Sequence, residues 1–391
     1  MGETFNFGRV PDIYFGTGKF TLVPNLLKEF GTRILVVTGK NSFIQTGYWA
    51  QLQELFTLHK LEWIVTTIPK EPTPILIDSI VSELRNLSFD AVLAIGGGSV
   101  IDGGKAIAAM LPIQEPIIDY LEEFGSKYHS GQSIPLIAVP TTAGTGSETT
   151  RYAMLSEVGE RGLKKKLQHT YFVPKVAIID PNMTKHCSPF LTAIGGINAF
   201  SQLAESFLSL GSTELTDTLS FKGISYIVKS LPVAYRNGRN TAARSAMAYA
   251  SMVSGVTSSN TGLGTTNGLA MAIAGRFDIP FSVLCATLMA EVHRVTVEEA
   301  LKYPKENKQT LEKYARVGRL LHKSRGKSNQ YYKNVLLKKV RKWGKEYHIP
   351  NLSYFGIKEK DFEEIAFHTE NQNNPMPLSE AQIIEVLKAK F

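Results

Sequence analysis

The chain has only two cysteines in 391 residues, Cys187 and Cys285. A disulfide scaffold or a zinc ribbon needs more thiols, and the scarcity fits a reducing compartment, so a cytoplasmic protein is expected. No stretch approaches the ~18–20 uninterrupted apolar residues of a membrane span. The opening Met1-Gly2-Glu3-Thr4-Phe5-Asn6 lacks the basic segment and apolar core of a secretory signal, and Asn6 stands where a myristoylation motif wants Ser or Thr. Glycine and proline, 32 and 18 residues, follow no collagen-like period, which excludes fibrous and low-complexity classes. With 43% apolar and 20% charged residues, the length suffices for two domains with separate cores.

Basic residues are concentrated in one segment. Residues 301–350 hold 15 Lys and Arg against 3 Asp and Glu, so this segment carries +12 and the rest of the chain −4 of the net +8. Within it Tyr332, Val335, Leu336, Val340, Trp343 and Tyr347 recur at helical spacing among lysines, the pattern of a surface helix with a solvated basic face. No zinc-finger spacing or RNP-like aromatic string accompanies it, so neither nucleic acid nor membrane is an expected partner. A small-molecule substrate is expected instead, with a homodimer as an allowed assembly.

The first half alternates short apolar runs (Ile34 to Val37, Trp63 to Ile68, Ala91 to Ile95, Leu136 to Val139, Val176 to Ile179) with amphipathic stretches, the pattern of a parallel sheet wrapped by helices. After Asp180-Pro181 strand signals stop. Helical patterns follow at Leu191 to Leu208, Thr241 to Ser258, Gly268 to Ala274 and Ala286 to Leu301. The expected division is an α/β domain over 1–183 and an all-helical domain over 184–391.

Gly96-Gly97-Gly98-Ser99 follows the strand Ala91 to Ile95 and precedes a helical run from Gly103 to Met110. Glycines at a strand's carboxyl end let backbone approach a pyrophosphate, and the next helix's N-terminus offers unpaired amides and partial positive charge. Neither a Walker A nor the ordinary Rossmann spacing is present. A second loop, Pro140-Thr141-Thr142-Ala143-Gly144-Thr145-Gly146-Ser147-Glu148, crowds hydroxyls and glycines into a turn suited to phosphate or ribose.

GGGSVIDGGKAIA and PTTAGTGSE resemble the iron-dependent (group III) alcohol dehydrogenases, relatives of glycerol dehydrogenase, maleylacetate reductase and the dehydroquinate synthase fold. IYFGTGKF, VAIIDPNMT, LTAIGGINAF and NPMPLSEAQIIEVL extend the likeness over nearly the whole chain. The resemblance implies an α/β NAD(P)-binding domain, an all-α domain holding a metal, and a reaction in the cleft between them. It assigns Gly96, Gly97, Gly98, Ser99, Asp102, Thr141, Thr142, Thr145, Ser147 and Lys164 to the cofactor. NAD-preferring members place an aspartate where Gly39 stands; with that repulsion removed and Lys40 and Ser42 adjacent, NADP is favoured over NAD.

The resemblance fails at the metal. Four family ligands, Asp, His, His and His, are matched by Asn198, Gln202, Asn267 and Phe281, and the family's additional His by Met271. The i, i+4 spacing puts Asn198 and Gln202 on one helical face. Neutral amides compete poorly with water for iron or zinc, so no catalytic metal is expected. Two functions stay open: a metal-independent NAD(P)H-dependent reductase of a carbonyl or pre-activated C=N or C=C substrate, using Asn198, Gln202 and Asn267, or a non-catalytic dinucleotide-binding pseudoenzyme with a regulatory or assembly role. The intact loops favour the enzyme. Proton-relay candidates are Tyr152, His293 and Lys164, with His169 further off; Glu205 reads as structural and Asp102 as a helix-start residue near the cofactor.

Overall fold

The computed structural model describes residues 4–159, 162–322 and 325–391. The N-terminal half runs β1 (Asp12–Phe15), α1 (Val23–Lys28), β2 (Arg33–Thr38), α2 (Gly47–Leu58), β3 (Glu62–Thr67), α3 (Pro74–Leu84), β4 (Ala91–Gly96), α4 (Gly98–Met110), β5 (Leu136–Pro140), β6 (Tyr152–Glu157), β7 (Leu163–Gln168) and β8 (Val176–Ile179). Six strands form one parallel sheet in the order β3-β2-β4-β5-β8-β1. Its central strands are buried on both faces, which is why they read as unbroken apolar runs.

From β2 the chain steps outward to β3 and returns to the other side of β2 as β4. That reversal opens a crevice beyond the carboxyl ends of β2 and β4, the usual ligand site of such sheets. Thr38 lies level with Ile95, so the loops after β2 and β4 flank the crevice together. Helix α4 packs close on the sheet because Gly104 faces Ala94, where a Cβ would approach the alanine methyl to 2.7 Å. It begins at Gly98, five residues before the expected Gly103: the last glycine of the turn is its first residue and Gly97 its N-cap.

Helices fill the remainder: α5 (Pro189–Leu208), α6 (Glu214–Arg236), α7 (Thr241–Thr261), α8 (Thr265–Arg276), α9 (Phe281–Lys302), α10 (Lys308–Leu320), α11 (Asn329–Glu346), α12 (Phe362–Phe367) and α13 (Glu380–Ala389). Helices α5, α6, α7, α10 and α11 share one core around Phe200, Phe207, Tyr314 and Trp343, while α8, α9, α12 and α13 share another. The basic segment closes α9 and forms α10 and α11; in α11 Tyr332, Leu336, Val340 and Trp343 are buried, as is Lys333, while Lys338, Arg341 and Lys342 are exposed. Among the described residues, no helix is long and apolar enough to cross a membrane.

Candidate active site

A cavity of about 340 Å³ lies between the two halves. One wall is the start of α4, where Gly97 is the N-cap and makes no side-chain cap, leaving first-turn amides for a ligand. A Cβ on Gly98 would meet Thr145 Oγ1 at 2.7 Å and Cγ2 at 2.8 Å, so any side chain here would push Thr145 of the second loop away from the helix start. Gly97, Gly98, Ser99, Thr142, Thr145 and Ser147 all face the cavity, and these residues fit a dinucleotide pyrophosphate.

The second loop also joins the halves. Gly144 N donates to Ser251 Oγ (2.7 Å), Thr149 Oγ1 to the Met252 carbonyl (3.0 Å), and Asn198 Nδ2 to the Gly144 carbonyl (3.2 Å). Thr141 stays outside the lining: its N–H donates to the Gly96 carbonyl (2.8 Å) and its carbonyl accepts from Cys187 Sγ (3.3 Å). Gly96 is a buried strand end against Val100. Gly39 is buried against Val100, with Lys40 and Ser42 exposed beside it, at the mouth of the crevice and outside the cavity lining.

Asp102 is not a helix-start residue. Because α4 starts at Gly98, Asp102 lies inside the helix, paired with the buried Lys105 (2.9 Å) and accepting from Ser147 Oγ (2.8 Å), while lining the cavity. Lys105 also donates to the Ser147 carbonyl (3.0 Å), Thr150 Oγ1 (2.7 Å) and the Tyr152 carbonyl. Burial lowers the pKa of Lys105 and pushes Glu148, beside it, up to about 7.

The floor comes from the helical half. Gln202, Asn267, Met271 and Phe281 line the cavity, and Gln202 Oε1 accepts from Ser254 Oγ (2.9 Å). Asn198 is fully buried behind that floor with no partner for its Oδ1 among the described residues. Glu205, as expected, is structural: it accepts from the backbone N–H of Gly264 (3.1 Å), Thr266 (2.6 Å) and Asn267 (3.4 Å), capping α8.

Tyr152 and Lys164 stand on the antiparallel hairpin β6–β7 and face the cavity. His293 does not. It is buried in α9, its Nδ1 against Tyr314 Oη (3.0 Å), and desolvation pushes it down to about 4, so it packs as a neutral core histidine away from the cleft. His169 likewise lies outside the lining. Sequence reasoning missed Glu71 after β3 and Glu370, Gln372 and Asn373 near the C-terminus, all lining residues. Only the last three carried a signal, since they adjoin the block NPMPLSEAQIIEVL.

The donor set does not fit iron or zinc: an amide faces the cavity at two of the four matched positions, a buried amide and a phenyl ring hold the others, and among the described residues no three His, Cys, Asp or Glu side chains converge.

A parallel-sheet half, a helical half and a cavity between them, with a glycine-led helix start in its wall, give the chain the architecture of a two-part oxidoreductase fold. The chain belongs to the iron-containing alcohol dehydrogenase family: the family's N-terminal model matches residues 11–181 and its C-terminal model residues 192–391. It is 31% identical to the sulfoacetaldehyde reductase of Bilophila wadsworthia over 70% of this chain and 74% of that one. With the NAD-dependent methanol dehydrogenase of Bacillus methanolicus it shares 27% identity over 98% and 99% of the two chains. The crystal structure of an archaeal halo-thermophilic Red Sea brine pool alcohol dehydrogenase superposes with a TM-score of 0.89 at 25% identity, covering 100% of this chain and 99% of that one. The protein is an alcohol-dehydrogenase-like oxidoreductase.

Proposed function

We propose that the protein reduces a carbonyl, or a pre-activated C=N or C=C bond, by hydride transfer from NADPH without a catalytic metal. The observation that carries this is the pairing of a glycine-led helix start at Gly97-Gly98 with a cavity floor of Gln202, Asn267 and Phe281, the positions matched to family metal ligands, none of which is an anionic or imidazole side chain. The bound dinucleotide supplies the hydride; the chain supplies the first turn of α4 for its phosphates and amides to orient the substrate. Gly39 in place of an acidic residue, with Lys40 and Ser42 exposed beside it, supports NADPH over NADH, although a named relative uses NAD. Lacking Lewis-acid help worth several kcal/mol, the floor suits a substrate already activated.

We take the substrate to be a small molecule, the compartment to be the cytoplasm, and the assembly to be a homodimer along β1, which ends the sheet with Phe5, Phe7, Val10 and Ile13 exposed nearby; light scattering checks this. Nothing in the cavity calls for nucleic acid or membrane. The deciding experiment is metal analysis of protein purified without chelator, with NADPH and NADH titrations and a panel of aldehydes, ketones, imines and enones. Tight NADPH binding and its oxidation at substoichiometric metal are expected. Stoichiometric iron or zinc sinks the metal-free reading; NADPH bound but never oxidised leaves the regulatory pseudoenzyme instead.

A further inference from the structure

Without a Lewis acid, a carbonyl reduced in this cavity needs another group to take the charge developing on its oxygen. The ionisable side chains lining the cavity are Glu71, Asp102, Tyr152, Lys164, Lys166 and Glu370. Asp102 is engaged by Lys105 and Ser147, and Glu370 by Lys165 (3.1 Å). Burial pushes the Tyr152 phenol up to about 12, and its ring already faces two cations, Lys105 and Lys166, each 5.6 Å from its centroid. Lys166 is partly exposed and leans 3.8 Å from Glu122.

Lys164 differs from all of these. Its side chain is 4% exposed, it donates to Glu71 Oε2 and to Ser156 Oγ (3.1 Å), and its Nζ stands 5.5 Å from the ring centroid of Phe281. An ammonium has three N–H donors; Glu71 and Ser156 take two of them, and the Nζ stands beside the Phe281 ring, itself part of the cavity lining. Phe281 fills the position matched to a family metal ligand, so the cation borders the place where a metal's charge is missing. Glu71 Oε1 also accepts from the Phe281 backbone N–H (3.4 Å), and its side chain, 31% exposed, reaches solvent. The pair therefore links the cavity interior to water.

We propose that Lys164 is the general acid of the reduction and Glu71 the positioning residue that holds it and returns its proton. The inference rests on the metal-free reductase reading. As the carbonyl carbon accepts hydride from the dihydronicotinamide, its π pair moves to oxygen and an Nζ–H bond of Lys164 breaks to form the new O–H. The carbonyl is reduced, the nicotinamide is oxidised, and the amine regains a proton from solvent by way of the Glu71 carboxylate. The apolar surroundings, Met154, Met271 and Phe281, fit an uncharged carbonyl compound.

The test compares wild type, Lys164→Ala, Lys164→Arg and Glu71→Gln, with 4-nitrobenzaldehyde, phenylglyoxal and 2-cyclohexenone as probes. Lys164→Ala should keep its NADPH Kd within about threefold while kcat falls about 100-fold or more, the range of general acid catalysis. Added ethylamine should restore part of that rate. Lys164→Arg, whose guanidinium keeps the charge but gives up no proton, should stay slow, and Glu71→Gln should lose rate without loss of NADPH affinity. A Lys164→Ala rate within threefold of wild type overturns the inference. So does a rate loss tracked by an equal loss of NADPH affinity with no amine rescue, which makes Lys164 a cofactor-holding residue. If the wild-type protein binds NADPH but reduces none of the probes, the reductase reading fails, and this inference with it, before any variant is compared.

Discussion

At the scale of single residues, the cradle we propose for the cofactor turns on one missing methyl group. Gly97 and Gly98 are adjacent and chemically identical, but a Cβ on Gly97 would sit 3.4 Å from Thr142, while one on Gly98 would sit 2.7 Å from Thr145. Overpacking of that kind costs roughly 1–3 kcal/mol. Gly98→Ala is therefore expected to weaken NADPH binding about 10-fold or more with the fold intact, and Gly97→Ala to change it little, both read by nucleotide fluorescence titration. The glycines' place between a strand and a helix was legible because strand, turn and helix are contiguous in the chain. The floor was legible only in part: the four-residue spacing put Asn198 and Gln202 on one helical face, but depth is set by the neighbouring loop, and Gly144 claims Asn198 behind the cavity wall while Gln202 reaches it. The Glu71 to Lys164 pair was invisible, because 93 residues separate its members and a lone carboxylate has no local pattern.

At the scale of elements, strands rich in apolar residues, the exposed edge strand β3 included, and helices with long apolar stripes announced themselves, while other elements did not. The hairpin β6–β7 was missed: Leu163–Gln168 holds three consecutive lysines, and its strand character comes from pairing with Tyr152–Glu157 and from the partners of Lys164 and Lys165. Helix α6 was also missed, with Pro232 inside it; its burial between α5 and α7 outweighs the lost backbone donor. Helix α8 extends three residues N-terminal to its apolar pattern because a carboxylate from another helix, Glu205, accepts three of its orphan amides. Replacing Glu205 by Ala strands those buried donors and is expected to destabilise the protein by about 3 kcal/mol. Glu205→Gln, which keeps one acceptor oxygen, should lose about 1 kcal/mol, and urea unfolding midpoints separate the two.

At the scale of the whole molecule, the net charge of +8 says little about stability, because the charges that matter are few and buried. Glu148 sits at the junction of the halves, beside Lys105 and Asp102, and burial raises it to about 7. Between its unfolded value near 4.5 and 7 the native state holds a proton that the unfolded chain has lost, so its contribution is full below 4.5 and declines as pH rises. His293 works the other way. Lowered to about 4 by burial, it is neutral in the native state where the unfolded chain binds a proton, so its contribution is full above 6.5 and is lost as pH falls toward 4. Each slope is at most about 1.4 kcal/mol per pH unit, and from 4.5 to 6.5 the two oppose one another. Glu148→Gln removes the falling slope alone. Relative to wild type, the variant should gain stability by on the order of 3 kcal/mol between pH 4.5 and 7, measured as the difference in urea unfolding free energy across a pH series; a difference that stays flat over that window excludes Glu148 as the titrating group.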